Sequence, residues 1–423
     1  TYVQLLDMGI RSEELDNEVY IVRVSITRLY EYLLAELHDA YCESAQDILR
    51  LAGRTSQFKS LQGALEIIVL RACEDGRYLL FSEALADAGS SDEKEVIAAV
   101  GIEVAAHLVR ADPGVFKALL EHLSKALQPS MQDFLFRLWD RLFVLGQMEA
   151  ADEISGICVD GLNNDASGLA KARYRHGIGL QNRGMHDEAV DYFRLAHEGA
   201  LAADNPILAW RANVRFAEVL AGRGETARAM EMLSLAVDGL REQNALGEAA
   251  EARRQQGILA GRQGDMKGKM TATMEAMDWA READHSFTRT RCLISLGVAS
   301  YNKRKTEAAF NAFEKALQIA REEGHLMNIA MCRGNLAVLD QEAGRLEEAM
   351  GHHSKTLEIF KKLMNPDLQA RATFLLASVA VESGRSDFAG DLMENLLELA
   401  RRLNMPRHLA TASNLQVRIA ACS

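Results

Sequence analysis

The segment Gly261–Thr271, GRQGDMKGKMT, has the composition of a phosphate-binding loop. Such a loop requires G-x-x-x-x-G-K-[ST], because its backbone amides cradle the phosphates and its hydroxyl binds the accompanying Mg²⁺. Gln263 stands where the first glycine is required, and Met270 stands where the serine or threonine is required. We therefore expect no nucleotide site in this segment, which follows a predicted helix and not a strand.

The residues that could ligate a metal or act as nucleophiles are scattered. No two cysteines have CxxC or zinc-site spacing. We therefore expect the cysteines to act as small, buried apolar side chains in a reducing compartment. These cysteines are Cys42, Cys73, Cys158, Cys292, Cys332 and Cys422. His352 and His353 have no HExxH motif or carboxylate set beside them, and we expect them on a solvated helix face. Since a G-x-S-x-G elbow is also missing, we predict no enzyme activity, no catalytic residue, no metal and no cofactor.

The composition favours long helices over sheets, and a protein partner over nucleic acid or lipid. Of 423 residues, 48% are hydrophobic, 6% are aromatic and five are proline, which is typical of uninterrupted helices. The net charge of -12 lacks the basic footprint of a nucleic-acid binder. No apolar run reaches the ~20 residues of a membrane span, and no signal peptide is visible. We expect a cytoplasmic protein. Because the sequence begins at Thr1 and not at Met, we also expect a piece of a longer one.

A forty-residue period organises the chain from about residue 170 onward, and its clearest mark is a turn residue between two apolar-periodic segments. The turn positions are Gly184, Gly224, Gly264, Arg304, Gly344 and Gly384. Alanine follows each turn at Ala189, Ala229, Ala309, Ala349 and Ala389, with Lys269 as the exception. A small residue precedes each turn at Gly177, Ala217, Gly257, Gly297, Ala337 and Ala377. Phases that hold over six periods indicate stacked copies of one structural unit.

Each copy is predicted to be a helix of about fourteen residues, a tight turn and a longer second helix. Glycine at the turn supplies the left-handed conformation that ends the first helix, and the small residues let the two helix axes approach closely. Pro206, Pro366 and Pro406 share a further phase, between copies, where proline removes no internal hydrogen bond. One pair leaves an apolar face uncovered, so neighbouring pairs should stack.

These residues resemble the tetratricopeptide repeat. The match consists of a small residue at Gly297, a turn glycine at Gly344, and alanines at Ala309 and Ala316. The family unit is about 34 residues long, and the unit here resembles the long-repeat branch of about 40. The resemblance implies an all-α fold, a right-handed α-solenoid of antiparallel helix pairs. It is firm over residues 170–420, and a looser copy extends it back to about residue 132.

The resemblance divides the chain into residues 1–130, a helical region of degenerate repeats or a cap, and residues 131–423, the repeat array. Residues 13–42 are predicted to form one long amphipathic helix. Gly76 and Pro113-Gly114 look like further hairpin turns. The last residues, from His408, are predicted to form a lone first helix.

The resemblance also implies that the first helix of each copy lines a concave groove. The groove slots that we select as partner-binding candidates hold Lys171, Tyr174, Arg175, Arg211, Arg215, Arg254, Arg291, Ile294, Asn335, Arg371 and Phe374. Lysine and arginine dominate the outermost slot, although Glu251 occupies it in one copy. This pattern favours a basic strip for an acidic ligand. A solvated face beside an apolar binding surface, or a groove filled by the chain's own N-terminal helix, remains open.

The sequence therefore predicts a non-enzymatic scaffold or adaptor that binds a protein or peptide segment in its groove, with an acidic segment as one candidate. The alternative is a sensor or regulatory segment of a larger signalling protein, such as a switch ATPase, a protease-associated protein or a peptide-pheromone receptor. Nucleic acid and membrane are not expected as partners. The oligomeric state is not determined by the sequence.

Overall fold

The computed structural model describes residues 10–15, 19–24, 44–54, 60–125, 127–363 and 365–402, together with residues 409 and 412. The chain divides into an N-terminal body, Thr1–Arg141, and a C-terminal body, Leu142–Ser423. Apart from one hairpin, the elements in the described part of the chain are helices, which confirms the all-α solenoid class.

The exception is an antiparallel hairpin of β1 (Ile10–Leu15) and β2 (Val19–Val24), in which Ile10 pairs with Val24 and Leu15 with Val19. The helix predicted from residue 13 is therefore wrong over both strands. The physical reason is visible in VYIVRV, because β-branched and aromatic residues lose rotamer freedom in a helix and fit an extended strand. The remainder of that predicted helix, residues 25–42, lies outside the described residues.

Six helices follow the hairpin. They are α1 (Ala45–Arg54), α2 (Ser60–Glu74), α3 (Tyr78–Asp87), α4 (Ser91–Ala111), α5 (Pro113–Ser124) and α6 (Pro129–Leu145). Both predicted turns are present, since Gly76 has a φ of +74° between α2 and α3, and Pro113 begins α5 after the capping residue Asp112. Helix α4 begins with a reciprocal capping box between Ser90 and Glu93.

Aromatic packing on a glycine organises this body. The rings of Phe81 and Phe134 meet edge to face with centroids 5.3 Å apart, and both side chains are fully buried. A methyl group added at Gly101 of α4 would lie 2.2 Å from the Phe81 ring. Helix α4 therefore needs glycine at this point for α3 to approach it.

The C-terminal body begins with the end of α6, a turn at Gly146 and α7 (Met148–Gly161), and then continues as six repeats. Repeats 1 to 3 are the pairs α8 (Ala166–Asn182) with α9 (His186–Ala202), α10 (Pro206–Gly222) with α11 (Thr226–Glu242), and α12 (Leu246–Arg262) with α13 (Met266–Glu282). Repeats 4 to 6 are α14 (Ser286–Asn302) with α15 (Thr306–Glu322), α16 (Leu326–Glu342) with α17 (Leu346–Lys362), and α18 (Pro366–Glu382) with α19 (Ser386–Arg402).

All twelve helices of the six repeats are 17 residues long, so the predicted short first helix and longer second helix are wrong. The turn residue of every repeat has a positive φ, including Arg304 at +57°. Pro206 and Pro366 are the first residues of α10 and α18, each after an asparagine cap, as predicted. Pro406 and the predicted final helix lie outside the described residues.

A second set of left-handed residues, between repeats, was not anticipated. It comprises Asp204, Asn244, Asp284 and Gly324, with φ between 48° and 69°. Aspartate and asparagine are the non-glycine residues that enter this region most readily. Their forty-residue spacing is therefore a readable sequence signal, and it explains why the two helices of each repeat are equal in length.

The small residue of the first helix packs against the second helix of the same repeat. A methyl group at Gly177 would lie 2.8 Å from the Phe193 ring, and one at Gly297 would lie 2.5 Å from the Phe313 ring. Ala316, predicted to lie at the same contact, is fully buried. The register predicted for the repeats is therefore the one observed.

Candidate functional site

The first helices of the repeats form the inner face of the array. From α8 to α16, each first helix contacts the first helix of the next repeat, whereas no second helices are in comparable contact in the described part of the chain. Stacked pairs that touch along one side and splay along the other curve towards the touching side. The first helices, which carry the groove slots predicted from the sequence, therefore lie on the touching side of the stack.

The inner face begins with an aromatic–cation contact between repeats 1 and 2. The guanidinium of Arg211 lies over the ring of Tyr174, 5.2 Å from its centroid. Tyr174 is buried and Arg211 is exposed. Burial raises the pKa of the Tyr174 phenol, but the guanidiniums of Arg211 and Arg215 outweigh burial and lower the net pKa. The phenol and both cations thus belong to one electrostatic group.

Arg215 is paired within its own helix. Its Nη1 donates to Glu218 Oε2 at 3.0 Å, and the two side chains are 29% and 15% exposed. The other oxygen of Glu218 accepts a hydrogen bond from the side-chain amide of Gln255 in repeat 3. Glu218 thereby links neighbouring first helices and neutralises part of the predicted basic strip.

Glu251 is the junction of repeats 3 and 4. It accepts hydrogen bonds from Arg254 Nε at 2.9 Å and Nη2 at 2.6 Å, and from Arg291 Nη1 at 2.7 Å. Burial raises the pKa of the Glu251 carboxyl, but the attraction of Arg254 and Arg291 outweighs burial and lowers the pKa to about 2. This carboxylate is therefore ionised throughout the neutral range and holds two guanidiniums from adjacent repeats.

Arg291 is incompletely satisfied. Its Nε is buried without a hydrogen-bond partner, and its guanidinium lies 5.4 Å from the centre of the Phe287 ring. Burial, together with the neighbouring Arg254, lowers the pKa of Arg291 to about 10 despite Glu251. The side chain remains charged at neutral pH and retains one unused donor.

These residues form what we call the inner-face network: Tyr174, Arg211, Arg215, Glu218, Glu251, Arg254, Gln255 and Arg291. Four guanidiniums thus meet two carboxylates. The expected strip of free cations is corrected, because Arg215, Arg254 and Arg291 carry their own counter-ions. Sequence reasoning missed Glu218, which occupies a slot held by isoleucine or valine in four of the other repeats.

The remaining predicted groove residues lie elsewhere. Ile294 is a buried member of the core of repeat 4, and Phe374 packs against the core of the last repeats. Asn335 donates to the carbonyl of Met331 in its own helix at 2.7 Å. Lys171 and Arg175 are half-buried on α8, and Arg371 is exposed on α18.

The histidine pair is not a solvated face. His353 is fully buried, both ring nitrogens lack a hydrogen-bond partner, and burial lowers its pKa to about 4. His352 Nε2 lies 3.7 Å from Asp340 Oδ2. His353 stands one period after Phe313, the residue that packs on the small side of the first helix in repeat 4. The same phase buries His353 between the two helices of repeat 5. The expectation of exposure was wrong because His353 belongs to the core phase of the repeat.

The described cysteines, Cys73, Cys158, Cys292 and Cys332, are free and buried, and burial raises each thiol pKa to about 12. Cys42 and Cys422 lie outside the described residues. No cluster of three potential metal ligands occurs among the described residues. Within the same residues, no helix combines the length and hydrophobicity that crossing a membrane requires.

The fold and this inner face define an α-solenoid of stacked helix pairs. Residues 275–362 match the sequence model of the tetratricopeptide repeat. A Rap protein solved in complex with Competence and Sporulation Factor is 14% identical, with a TM-score of 0.55 over 85% of this chain and 99% of its own. Residues 275–362 are therefore a tetratricopeptide-repeat region, and the chain shares the α-solenoid fold of that Rap protein.

Two further solved structures are more distant. The apo form of RapI is 14% identical with a TM-score of 0.47, over 80% of this chain and 96% of its own. The apo quorum sensor NprR from B. thuringiensis is 13% identical with a TM-score of 0.40, over 71% and 97%. No curated protein sequence matches the chain.

Proposed function

We propose that the array binds a protein or peptide segment along its inner face, and that the inner-face network selects carboxylate groups on that segment. The observation that carries this proposal is the charge imbalance of the network, where three guanidiniums share Glu218 and Glu251, and where Arg211, although attracted by Glu248, forms no ion pair with a described residue. Cations removed from water without a full set of partners are unfavourable. A ligand carboxylate would complete the set.

Arg211 and Arg291 are the guanidiniums most available to such a ligand. Arg211 is exposed and forms no ion pair with a described residue, while Arg291 keeps an unpartnered Nε. The two residues occupy the same slot two repeats apart, which corresponds to roughly 20 Å at normal helix-packing distances. This separation favours an extended segment carrying spaced acidic residues over a single small anion.

The rest of the network gives the site its rigidity. Glu218 and Glu251 fix Arg215 and Arg254, so these guanidiniums form a pre-organised floor. Buried ion pairs contribute little net stability compared with apolar packing, and a role in recognition accounts for them better. Arginine is suited to this role because its planar guanidinium binds a carboxylate through two parallel hydrogen bonds.

A regulatory role in a larger signalling protein is the second candidate. The Rap protein with which this chain shares its fold was solved with Competence and Sporulation Factor bound. On that likeness, the segment recognised here would be a signalling peptide, and ligand binding would be read out by other parts of the intact protein. A cytoplasmic location fits both candidates.

Fluorescence anisotropy with a labelled peptide of alternating glutamate and leucine tests the proposal, with a glutamine-for-glutamate peptide as the ligand control. Arg211→Gln should weaken binding by about tenfold or more, since hydrogen bonds to charged groups contribute ~1.5–3 kcal/mol. Arg371→Gln is the matched control, because Arg371 is an exposed arginine in the same slot outside the network. Equal losses in both variants, or no loss in Arg211→Gln, would refute the proposed site.

Arg211 is a better target than Arg215. A change at Arg215 is not a simple surface change, because Arg215 is half-buried and paired with Glu218. Its reversal would place two carboxylates together and unfold part of the array. Circular dichroism melts of Arg211→Gln should match the wild type, because exposed positions usually change stability by less than about 0.5 kcal/mol.

A further inference from the structure

Arginine–carboxylate pairs join neighbouring repeats along the edge formed by the turns within the repeats. Arg223, at the turn of repeat 2, is hydrogen-bonded to Asp187 at the start of α9 in repeat 1. Arg385, at the turn of repeat 6, donates to Glu347 at the start of α17 in repeat 5 at 2.6 Å. In both cases an acid in the first turn of a second helix meets a cation from the turn of the next repeat.

This pattern is inverted between repeats 3 and 4. The acid position of repeat 3, two periods after Asp187, holds Lys267. The turn that follows in repeat 4 holds Lys303 and Lys305, which stand at the phases of Arg223 and Arg385. The repeated geometry therefore places three ammonium groups where the junctions of repeats 1–2 and 5–6 place an ion pair.

The surrounding residues add positive charge. Arg262 and Arg304 flank the same two turns, and they are exposed, as are Lys267, Lys303 and Lys305. In the described part of the chain none of the five forms an ion pair. The five cations outnumber the two local carboxylates, of which Asp265 accepts from the Gly268 amide at 2.8 Å as a helix cap and Glu307 is exposed.

Both departures from the forty-residue pattern fall at this edge. Arg304 replaces the turn glycine and still takes a left-handed φ of +57°. Lys269 replaces the alanine that follows the turn. Its aliphatic chain packs over Gly261, where an added methyl group would lie only 2.7 Å from Lys269 Cδ. Glycine at 261 thus leaves room for the lysine. The fold accommodates cations here at positions that favour small residues elsewhere.

An apolar side chain lies among these charges. Met266, the first residue of α13, is 58% exposed between Asp265 and Lys267. We call Arg262, Met266, Lys267, Lys303, Arg304 and Lys305 the turn-edge patch. It combines concentrated positive charge with an exposed, flexible thioether of the kind found at adaptable protein-binding surfaces.

We propose that the turn-edge patch is a second docking surface, distinct from the inner face, for an acidic protein segment that carries an apolar side chain. The patch spans two neighbouring turns, about 10 Å apart by helix packing, which suits a short segment with a few carboxylates. Along the same edge Asp187 and Glu347 are paired with Arg223 and Arg385, so the excess positive charge is confined to the patch and does not extend along a longer polyanion. Nucleic acid and an extended anionic membrane are therefore poorer matches for it.

Lys267→Glu tests the proposal because it places a carboxylate at the position that Asp187 and Glu347 hold at the junctions of repeats 1–2 and 5–6. Both proteins compared carry Arg211→Gln, so that the inner face is the same in each. Adding Lys267→Glu to this parent should weaken binding of the glutamate–leucine peptide by at least about tenfold. The melting temperature should rise, since like charges are replaced by an ion pair. Lys315→Glu, an exposed lysine on α15 without an ion pair, is the control with the same change in net charge.

The proposal is overturned if Lys267→Glu binds the peptide as tightly as its parent, or if Lys315→Glu weakens binding equally. It is also overturned if phosphatidylserine vesicles or duplex DNA bind the parent more tightly than the peptide does. A loss in Lys267→Glu with normal binding in Lys315→Glu supports it. That result is independent of the inner face. Failure of the inner-face proposal would appear separately, as binding that Arg211→Gln alone leaves unchanged from the wild type.

Discussion

Repeats 1–4 and repeats 5–6 share one backbone period but place their ionisable groups differently. In repeats 1–4, guanidiniums and carboxylates meet on the inner face and bridge successive first helices. In repeats 5–6 the equivalent outer slots hold Met331 and Arg371, and a buried ionisable side chain, His353, lies between the helices of one repeat. Equal geometry therefore supports a polar network between repeats in one region and packing within a repeat in the other.

The two regions should respond differently to loss of charge. On the inner face of repeats 1–4, each charged group fixes another, so removing one leaves its neighbour without compensation. In repeats 5–6 the buried histidine is neutral, and the perturbation is the gain of a proton. The following predictions separate these two behaviours.

The largest effect is expected for Glu251→Gln. The change leaves Arg254, whose side chain is 3% exposed, and the half-buried Arg291 without their carboxylate. Removing one partner of a buried pair destabilises by ~3–5 kcal/mol, and residual solvent access places this site at the lower end. Urea unfolding should show the loss, whereas Glu231→Gln, at an exposed carboxylate on α11, should show almost none.

Acid should destabilise repeats 5–6 through His353. Its pKa is about 4 in the fold, against about 6.5 when unfolded, so the unfolded chain binds the proton more tightly. Stability is full above pH ~6.5 and falls as pH drops towards ~4, by at most about 3 kcal/mol. Unfolding measured across this range should show the slope, and His353→Met should remove that contribution. An unchanged slope in His353→Met would show that other groups cause it.

Gly297→Leu tests whether the small-residue contact is tightly packed in repeat 4. The leucine would overlap the Phe313 ring, and overpacking usually destabilises by ~1–3 kcal/mol. Gly351→Leu is the control, since a side chain at Gly351 of α17 meets nothing within 4 Å. A thermal melt unchanged by Gly297→Leu would contradict the register. An equal loss at both positions would show that the effect does not come from packing against Phe313, since leucine improves helix propensity over glycine at both.

The smallest effect concerns the turns. Arg304 adopts a left-handed φ that disfavours L side chains by ~1–2 kcal/mol, so Arg304→Gly should stabilise by about 1 kcal/mol after the entropy of glycine is subtracted. Gly344→Arg in repeat 5 should destabilise by a similar amount. Differential scanning calorimetry can resolve both shifts. Opposite signs would show that the two turns are equivalent despite their different residues.

The pattern of small and large residues shows how far sequence reasoning extended. Gly177 faces Phe193 and Gly297 faces Phe313, while Ala337 stands opposite the smaller His353 by phase. The period predicted these contacts because each lies within one repeat and depends on fixed helix geometry. His353 was wrongly predicted to be exposed, because its polarity was given more weight than its phase in the repeat.

The candidate site was predicted less well. Tyr174, Arg211, Arg215, Arg254 and Arg291 were correctly placed on first helices, yet the sequence indicated a free basic strip. Whether a guanidinium is free depends on rotamers and on a partner as many as forty residues away, as for Arg291 and Glu251. Glu218 was overlooked because a single acid in an apolar slot carries no periodic signal.

The sequence by itself determined the period, the turns at glycine and the close approach of paired helices, since these follow from backbone conformation and side-chain size. Only the tertiary structure decided which charges neutralise one another and which stay unpaired. The reason is physical: backbone preferences act locally and repeat along the chain, whereas electrostatic energies depend on distances and burial that exist only once the repeats have stacked. Arg223 and Lys303 occupy the same phase, yet Arg223 meets a carboxylate whereas Lys303 is exposed and forms no ion pair with a described residue.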